Sequence, residues 1–281
     1  LFTAGRNWSG QPTPTGRPLM ALAALWLAGR VLVLTPWGWA SAVANMAFPL
    51  AAALGLGRAL VRAGNRRNYF FVGLLLMLSA ATGVIHLDRL GDAPGAAATG
   101  LHLALDVLLF MLCVMGGRVI PMFTNNGVPG TKAIRQPLLE RAALGTVLAL
   151  LTLDLCALLA AALPASWQVA TQAATQVAVA AVSALAAGVH LARWWLWQPW
   201  RTLRTPLVWV LHLAYAWIPL HLALRAAAGL GLVAPSLATH ALTAGALGGM
   251  IAGMMTRTAR GHTARPLRAD RWDVACYALV A

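Results

Sequence analysis

Long apolar stretches constrain this chain more than any other feature of its sequence. A helix that crosses a bilayer needs about 20 mostly apolar residues. Eight stretches meet this requirement, near residues 19–37, 39–61, 69–87, 97–120, 142–163, 168–192, 206–229 and 236–256, and a ninth begins at residue 272. Only 10% of the residues are charged, against about 25% in soluble domains. The sequence therefore predicts an all-α, polytopic integral membrane helix bundle.

The apolar stretches follow one another without a domain linker or a low-complexity tract, so we expect residues 1–281 to form a single transmembrane domain. The first ten residues, LFTAGRNWSG, look like the end of an earlier helix. Residues 272–281 look like the start of another one. We therefore expect the chain to be a fragment that lacks helices at both ends.

Basic residues are distributed unevenly between the predicted loops. Of the 21 Lys and Arg, all but Arg30, Arg89 and Arg225 lie in one set of alternate loops, which includes residues 1–18. By the positive-inside rule, these loops are expected on the cytoplasmic side of the membrane. The net charge of +14 then reflects basic loops that lie on one side of the membrane. The expected partners are anionic lipid head groups rather than nucleic acid.

Histidines gather at one predicted membrane level. His86, His102 and His240 lie at the outer ends of three different spans, and His221 lies in the outer half of a fourth. A helix bundle builds a metal or haem site from inward side chains on facing helices. A histidine inside a membrane is costly and usually has a partner. The simpler alternative is a histidine that bonds to a backbone carbonyl.

The stretch that follows His240 carries small and soft side chains. Gly245, Gly249 and Gly253 are spaced by four, which allows close approach of a neighbouring backbone or of a flat ligand. Met250 and Met254 lie between and beside them. Thioethers fill irregular gaps and can also bind copper. Tight helix packing and a ligand site therefore both remain open for this stretch.

Three charged residues inside the predicted spans, two acids and one arginine, are candidates for a functional role. Asp106 follows His102 by four residues, so the two share a helix face, and its carboxylate could orient the imidazole or simply bond a neighbouring helix. Asp154 is a second costly group. Arg30 could pair with either acid or neutralise a haem propionate.

Motifs of several enzyme classes are absent from the sequence. It contains no G-x-S-x-G, no G-x-x-x-x-G-K-[ST], no H-E-x-x-H and no C-x-x-C-H. The sequence therefore favours neither a hydrolase nor a nucleotide-driven pump, and it nominates no catalytic residue.

Five motifs carry a resemblance to a known family. They are LFTAGRNWSGQPTP at 1–14, LHLALD at 101–106, GRVIPMFTN at 117–125, PLVWVLHLAYAWI at 206–218 and HALTAGALGGMIAGMMTRTARGHTARPL at 240–267. With these motifs the chain resembles the NnrS family, membrane proteins of the bacterial nitric oxide response. The resemblance implies a twelve-span bundle with haem and copper, which acts in nitric oxide metabolism and protects denitrifying-type bacteria from nitrosative stress. A family motif of the His-x-His-Glu-Met type would precede Leu1.

The resemblance also implies which histidines matter. Motif matching selects His102, His212, His240 and His262, with His86 as a fifth. The resulting hypothesis is a b-type haem held by His102 and His240, with His86 third and with Asp106 and Arg30 beside it. A copper ion would use either the remaining histidines, including His212 and His262, or the histidine pair of the motif that would precede Leu1, with Met250 and Met254 as further candidates.

Three functional classes remain open at this point. The first is a non-enzymatic haem–copper protein with nitric oxide as its small-molecule ligand. The second is a quinol-linked enzyme that performs redox chemistry on nitric oxide. The third is a membrane transporter of haem, copper or a small anion. The oligomeric state is left open as well.

Overall fold

A computed structural model describes residues 1–93, 95–160 and 165–280. Within these residues the prediction of an all-α fold is confirmed, since every regular element is helical. The α-helices are α1 (Phe2–Ser9), α2 (Arg17–Leu32), α3 (Gly38–Arg62), α4 (Phe70–Leu90), α5 (Ala96–Gly127), α6 (Pro137–Ala160), α7 (Ala165–Trp195), α8 (Pro206–Gly229), α9 (Pro235–His240), α10 (Gly249–His262) and α11 (Arg271–Val280). The predicted end of the span at 142–163 lies outside the described residues.

Seven helices of the described residues are long and apolar enough to cross a membrane. They are Gly38–Arg62, Arg66–Leu90, Ala96–Gly127, Pro137–Ala160, Thr171–Trp195, Pro206–Gly229 and Pro235–His262. The chain is therefore a multi-pass membrane protein.

The first predicted span, 19–37, differs from the other seven. Its helix α2 has 16 residues, about 24 Å at the usual rise per residue, whereas the hydrocarbon core is about 30 Å thick. Gly16 stands before the helix with a positive φ of 57°. Pro36 follows its end, and a proline disfavours helical geometry in the residue before it. The apolar stretch is thus longer than the helix that it forms.

The chain forms two compact units, Leu1–Leu108 and Leu109–Ala281, and the border falls within α5. In the first unit α3 packs against α1, α2 and α4. Asn45 on α3 donates hydrogen bonds to the carbonyls of Gly29 (3.0 Å) and Ser41 (2.8 Å). The Ser79 hydroxyl donates to Met46 O (2.9 Å), which ties α4 to α3. The expectation that residues 1–281 form one domain of a longer protein stays a prediction.

In the second unit α8 is the central helix. It packs against α7, against α9 and α10, and against the wide π-helical segment Ala241–Gly248 that joins those two helices. A Cβ at Gly249 would lie 2.9 Å from Ala214 Cβ, and one at Gly253 would lie 2.8 Å from side-chain atoms of Val210 and Leu211. Two of the three evenly spaced glycines therefore serve helix packing against α8. Segments of π-helix inside α-helices are frequently found at functional sites.

Candidate functional site

His240 stands at an apolar pocket of about 310 Å³ in the second unit, where α9 passes into the π-helical segment. Trp217, Leu224, Leu237, Ala244, Gly245 and Val280 also line this pocket. A Cβ at Gly245 would run into the Trp217 ring of α8, so the glycine is what allows the indole to approach the π-helical segment closely. This third glycine therefore also packs against α8, and it lines the pocket beside Trp217.

The hydrogen bond of His240 determines which ring nitrogen is available. Its Nδ1 lies 2.7 Å from Ser236 O, and because a carbonyl cannot donate, Nδ1 carries the proton. The Nε2 lone pair is then available, which is the usual state of a metal-binding histidine. The Trp217 indole N–H is buried and has no hydrogen-bond partner among the described residues. The pocket thus offers an available imidazole nitrogen, whereas the Trp217 N–H is buried within its wall.

The other predicted haem residues belong to the first unit. His86 on α4 is buried and lines a cavity of about 370 Å³ together with Ser41 and Arg89. His102 on α5 is exposed, whereas Asp106, one turn further on, is 1% exposed. The residues therefore share one helix but differ sharply in burial.

Arg30 and Asp154 have partners that the sequence did not indicate. Arg30 Nη2 donates a hydrogen bond to Asn45 Oδ1 on α3. Asp154 on α6 forms an ion pair with Arg225 on α8, at 3.1 Å from Nη2 to Oδ2. Arg30 and Asp154 therefore do not pair with each other, and the Asp154 charge is compensated one turn beyond His221.

The residues predicted for copper are spread over α8 and α10. His212 is 2% exposed, Met250 is buried and Met254 is half-buried. His262 is exposed at the end of α10. Over residues 1–93, 95–160 and 165–280, no three or more His, Cys, Asp or Glu side chains form a group that could hold a metal ion. The predicted histidines are thus not gathered into one cluster of ligands there.

A buried polar cluster that the sequence did not nominate joins four helices of the second unit. Arg193 on α7 is 1% exposed. Its Nε and Nη2 donate to Glu140 Oε1 (2.9 Å) and Oε2 (2.6 Å) on α6. Its Nη1 donates to Cys113 O (3.0 Å) on α5 and to the Tyr215 hydroxyl (2.9 Å) on α8. All three nitrogens of the guanidinium therefore donate hydrogen bonds.

The same cluster includes a histidine. His190 Nδ1 lies 2.7 Å from the Tyr215 hydroxyl, and its Nε2 lies 3.1 Å from Ala143 O. Since the carbonyl can only accept, Nε2 carries the proton and Nδ1 accepts from Tyr215. Both nitrogens of His190 are thus occupied, which makes it a structural residue rather than a metal ligand. The one sequence signal for this cluster was that His190 and Arg193, three residues apart, share a helix face.

The fold and the pockets define a class of protein: a multi-pass α-helical membrane protein in which an imidazole faces an apolar pocket with one nitrogen available to a ligand. The NnrS protein family model matches residues 1–281, and the chain belongs to that family. Membership is consistent with a metal-binding membrane protein of the nitric oxide response. No curated protein and no solved structure matches the chain.

Proposed function

We propose that this protein is a haem- and copper-containing protein of the bacterial inner membrane that binds nitric oxide and so limits nitrosative stress. The family match over the whole chain supports the nitric oxide response. The observation that carries the site is the His240 imidazole, which holds its proton on Nδ1 and faces an apolar pocket.

The residues of the pocket fit a haem. His240 would bind the iron through Nε2, and the hydrogen bond to Ser236 O keeps the ring in the tautomer that this needs. Trp217 and the small residues Ala244 and Gly245 offer flat, apolar walls. A ferrous haem with one open position binds nitric oxide.

Nitric oxide is small and uncharged, so it can reach the pocket through the bilayer. Leu237 is 51% exposed at the pocket wall, on a surface that the lipid would cover. At this site His240 would hold the haem, and the apolar wall would keep water away from it.

The basic loops, including residues 1–18, are proposed to face the cytoplasm, where anionic head groups attract them. The copper part of the proposal rests on family membership alone, and metal analysis tests it directly. His262 lies at the opposite end of its helix from His240.

The test is a reduced-minus-oxidised visible spectrum of the purified protein with metal analysis of the same sample. Wild type is expected to show b-type haem with copper, and its spectrum is expected to change with nitric oxide. His240→Ala should lose most of the haem while it still inserts and purifies as a folded protein. His262→Ala is the matched control and should keep the haem. A colourless, metal-free but folded wild type, or full haem retention in His240→Ala, would overturn the proposed site.

A further inference from the structure

A mostly polar cavity of the first unit lies where α2 and α4 end and α3 begins. Its volume is about 370 Å³, and the polar part of its wall comes from Thr35, Gly38, Trp39, Ser41, His86 and Arg89. No carboxylate, Cys or Met is among the described residues that line it. The cavity shares no residue with the His240 pocket, and the proposed function does not use it.

Arg89 gives this cavity a positive charge. Its Nη2 donates to Val33 O at 3.4 Å, a long hydrogen bond, and it pairs with no acid among the residues that the structure describes. The neighbouring Asp88 carboxylate accepts from two backbone amides at the start of α5 (2.9 and 3.0 Å). Neither Asp88 nor Asp92 in the following loop lines the cavity. The guanidinium charge is therefore not compensated within the wall, which favours an anion as the ligand.

His86 is a buried side chain whose nitrogens are available to a ligand. The residue is 6% exposed, and its ring makes no hydrogen bond within the described part of the chain. Its nitrogens keep accessible surface in the cavity wall, whereas His212 Nδ1 is fully buried. A neutral imidazole carries one N–H that can donate to a ligand. The charges of Arg89 and Arg30 both act on this ring, so they would repel a metal cation bound to it and attract an anion.

The first turn of α3 adds backbone donors. The Trp39 amide has no acceptor among the described residues, and the N-cap residue Trp37 provides no side-chain hydrogen bond. Free amides and the helix dipole make a helix N-terminus attractive to anions. Ser41 Oγ accepts from Asn45 Nδ2 at 3.4 Å, so the proton of its hydroxyl can be donated to a ligand. The amides and side chains of this turn thus add to the donors on α4.

The helix ends that could repel an anion are already hydrogen-bonded. α2 and α4 both end at the cavity, and Leu32 and Leu90 line it. Leu32 O accepts from the amide (3.1 Å) and from the hydroxyl (2.8 Å) of Thr35. At the end of α4, loop amides bond back to the carbonyls of Leu87 and Asp88. The cavity therefore presents more donors than acceptors.

We propose that this cavity binds a phosphate group, with Arg89, the His86 N–H and the first turn of α3 donating to its oxygens. A guanidinium matches two phosphate oxygens at once. Donors on both α3 and α4 favour a phosphate, which has oxygens on all sides, over a carboxylate, which has two on one edge.

The phosphate comes either from a phospholipid head group or from free phosphate in the water. Trp37 and Trp39 are 67% and 63% exposed, as is typical of the head-group level of a membrane, where phospholipids carry their phosphates. Arg30 and Arg89 are two of the three basic residues outside the basic loops. A phosphate here is therefore distinct from the lipid head groups expected beside those loops.

The test measures how fast phenylglyoxal, an arginine reagent, modifies Arg89 in the full chain in a neutral detergent, with peptide mass spectrometry as the readout. Dioleoyl-phosphatidylglycerol should slow this reaction saturably. Dioleoylglycerol has the same tails but no phosphate, and it should leave the rate unchanged. Arg62, exposed at the other end of α3, reports general coating by lipid in the same sample. Arg89 should be protected at a lower lipid concentration than Arg62.

Potassium phosphate, compared with potassium chloride at the same ionic strength, separates the two sources. Protection of Arg89 by phosphate supports a site for the phosphate group itself, and protection by phosphatidylglycerol alone supports a site for the lipid head group. Equal protection by phosphatidylglycerol and dioleoylglycerol would overturn the proposal. Protection by neither the phospholipid nor phosphate would do so too, as would equal protection of Arg62 and Arg89.

A pair of variants tests the imidazole. His86→Phe keeps a ring but removes its N–H, and it should raise the half-protecting ligand concentration about three- to tenfold, the factor that one hydrogen bond supplies. Leu87→Phe is the matched control, at the next position of α4 but outside the cavity wall, and should leave that concentration unchanged. Equal effects of the two changes would overturn the role assigned to His86. His240→Ala should keep the protection even where it loses haem, so failure of this site and failure of the haem site are distinguishable.

Discussion

Glu140→Gln tests the buried ion pair that joins α6 to α7. The change removes the charge opposite a guanidinium that is 1% exposed and replaces one acceptor oxygen by an amide nitrogen, itself a donor. Arg193 keeps its bonds to Cys113 O and to the Tyr215 hydroxyl. Loss of one partner of a buried pair costs about 3–5 kcal/mol. The Glu140 side chain retains 14% exposure, so we expect the lower end, about 3 kcal/mol.

The free energy of unfolding in mixed micelles, followed by circular dichroism during titration with sodium dodecyl sulfate, measures this loss. Arg135→Gln is the matched control. Arg135 lies 3.6 Å from the same carboxylate, but its side chain is 49% exposed, and surface pairs contribute about 0–1 kcal/mol. The double variant Glu140→Met with Arg193→Met should lose less stability than Glu140→Gln, since it leaves no unpaired charge. A loss below about 1 kcal/mol in Glu140→Gln would refute the reasoning.

Two further predictions concern the π-helical segment and α11. Gly245→Ala forces a methyl group against the Trp217 ring and should cost about 1–3 kcal/mol and lower the haem content. Gly248→Ala, whose Cβ would find no atom closer than 3.5 Å, should leave both unchanged, and equal effects would contradict this account. The amide of Asp273 donates to the Asp270 carboxylate (3.0 Å) at the start of α11, which lowers the pKa of Asp270. The contribution to stability is therefore present above the unfolded pKa of about 3.9 and is lost as the pH falls through the lower folded value. Hydrogen exchange of the α11 amides, corrected for intrinsic rates, should rise over that acidic range, and an unchanged profile would contradict the cap.

The helices were predictable because membrane spans depend on the length of an apolar stretch, which can be read along the chain. The stretch at 19–37 shows the limit of that reasoning. Residues 33–37 are mostly apolar, yet α2 ends at Leu32. Pro36 disfavours helical geometry in the residue before it. This restriction is local, so an average of hydropathy over about 20 residues does not detect it. The sequence left helix packing and a ligand site both open for the glycines, and Gly249 and Gly253 pack closely against residues of α8.

The candidate site was predictable only in part. His240 was nominated from its motif and its predicted depth. The state of its ring nitrogens depends on Ser236 O, and the pocket depends on Trp217, which is distant in sequence. Trp194, Trp195, Trp200 and Trp209 lie around one cavity with His212 only once α7 and α8 are packed together.

The sequence by itself determined that this chain is an all-helical membrane protein, which family it belongs to and which histidines to examine. Those properties follow from composition, periodicity and local motifs. Only the tertiary structure decided that Arg193 pairs with Glu140 across 53 residues of sequence and that Asp154 pairs with Arg225 across 71. It also decided which nitrogen of His212 stays without a partner. The physical reason is that burial and hydrogen bonding depend on neighbours supplied by other helices, and no local pattern encodes them.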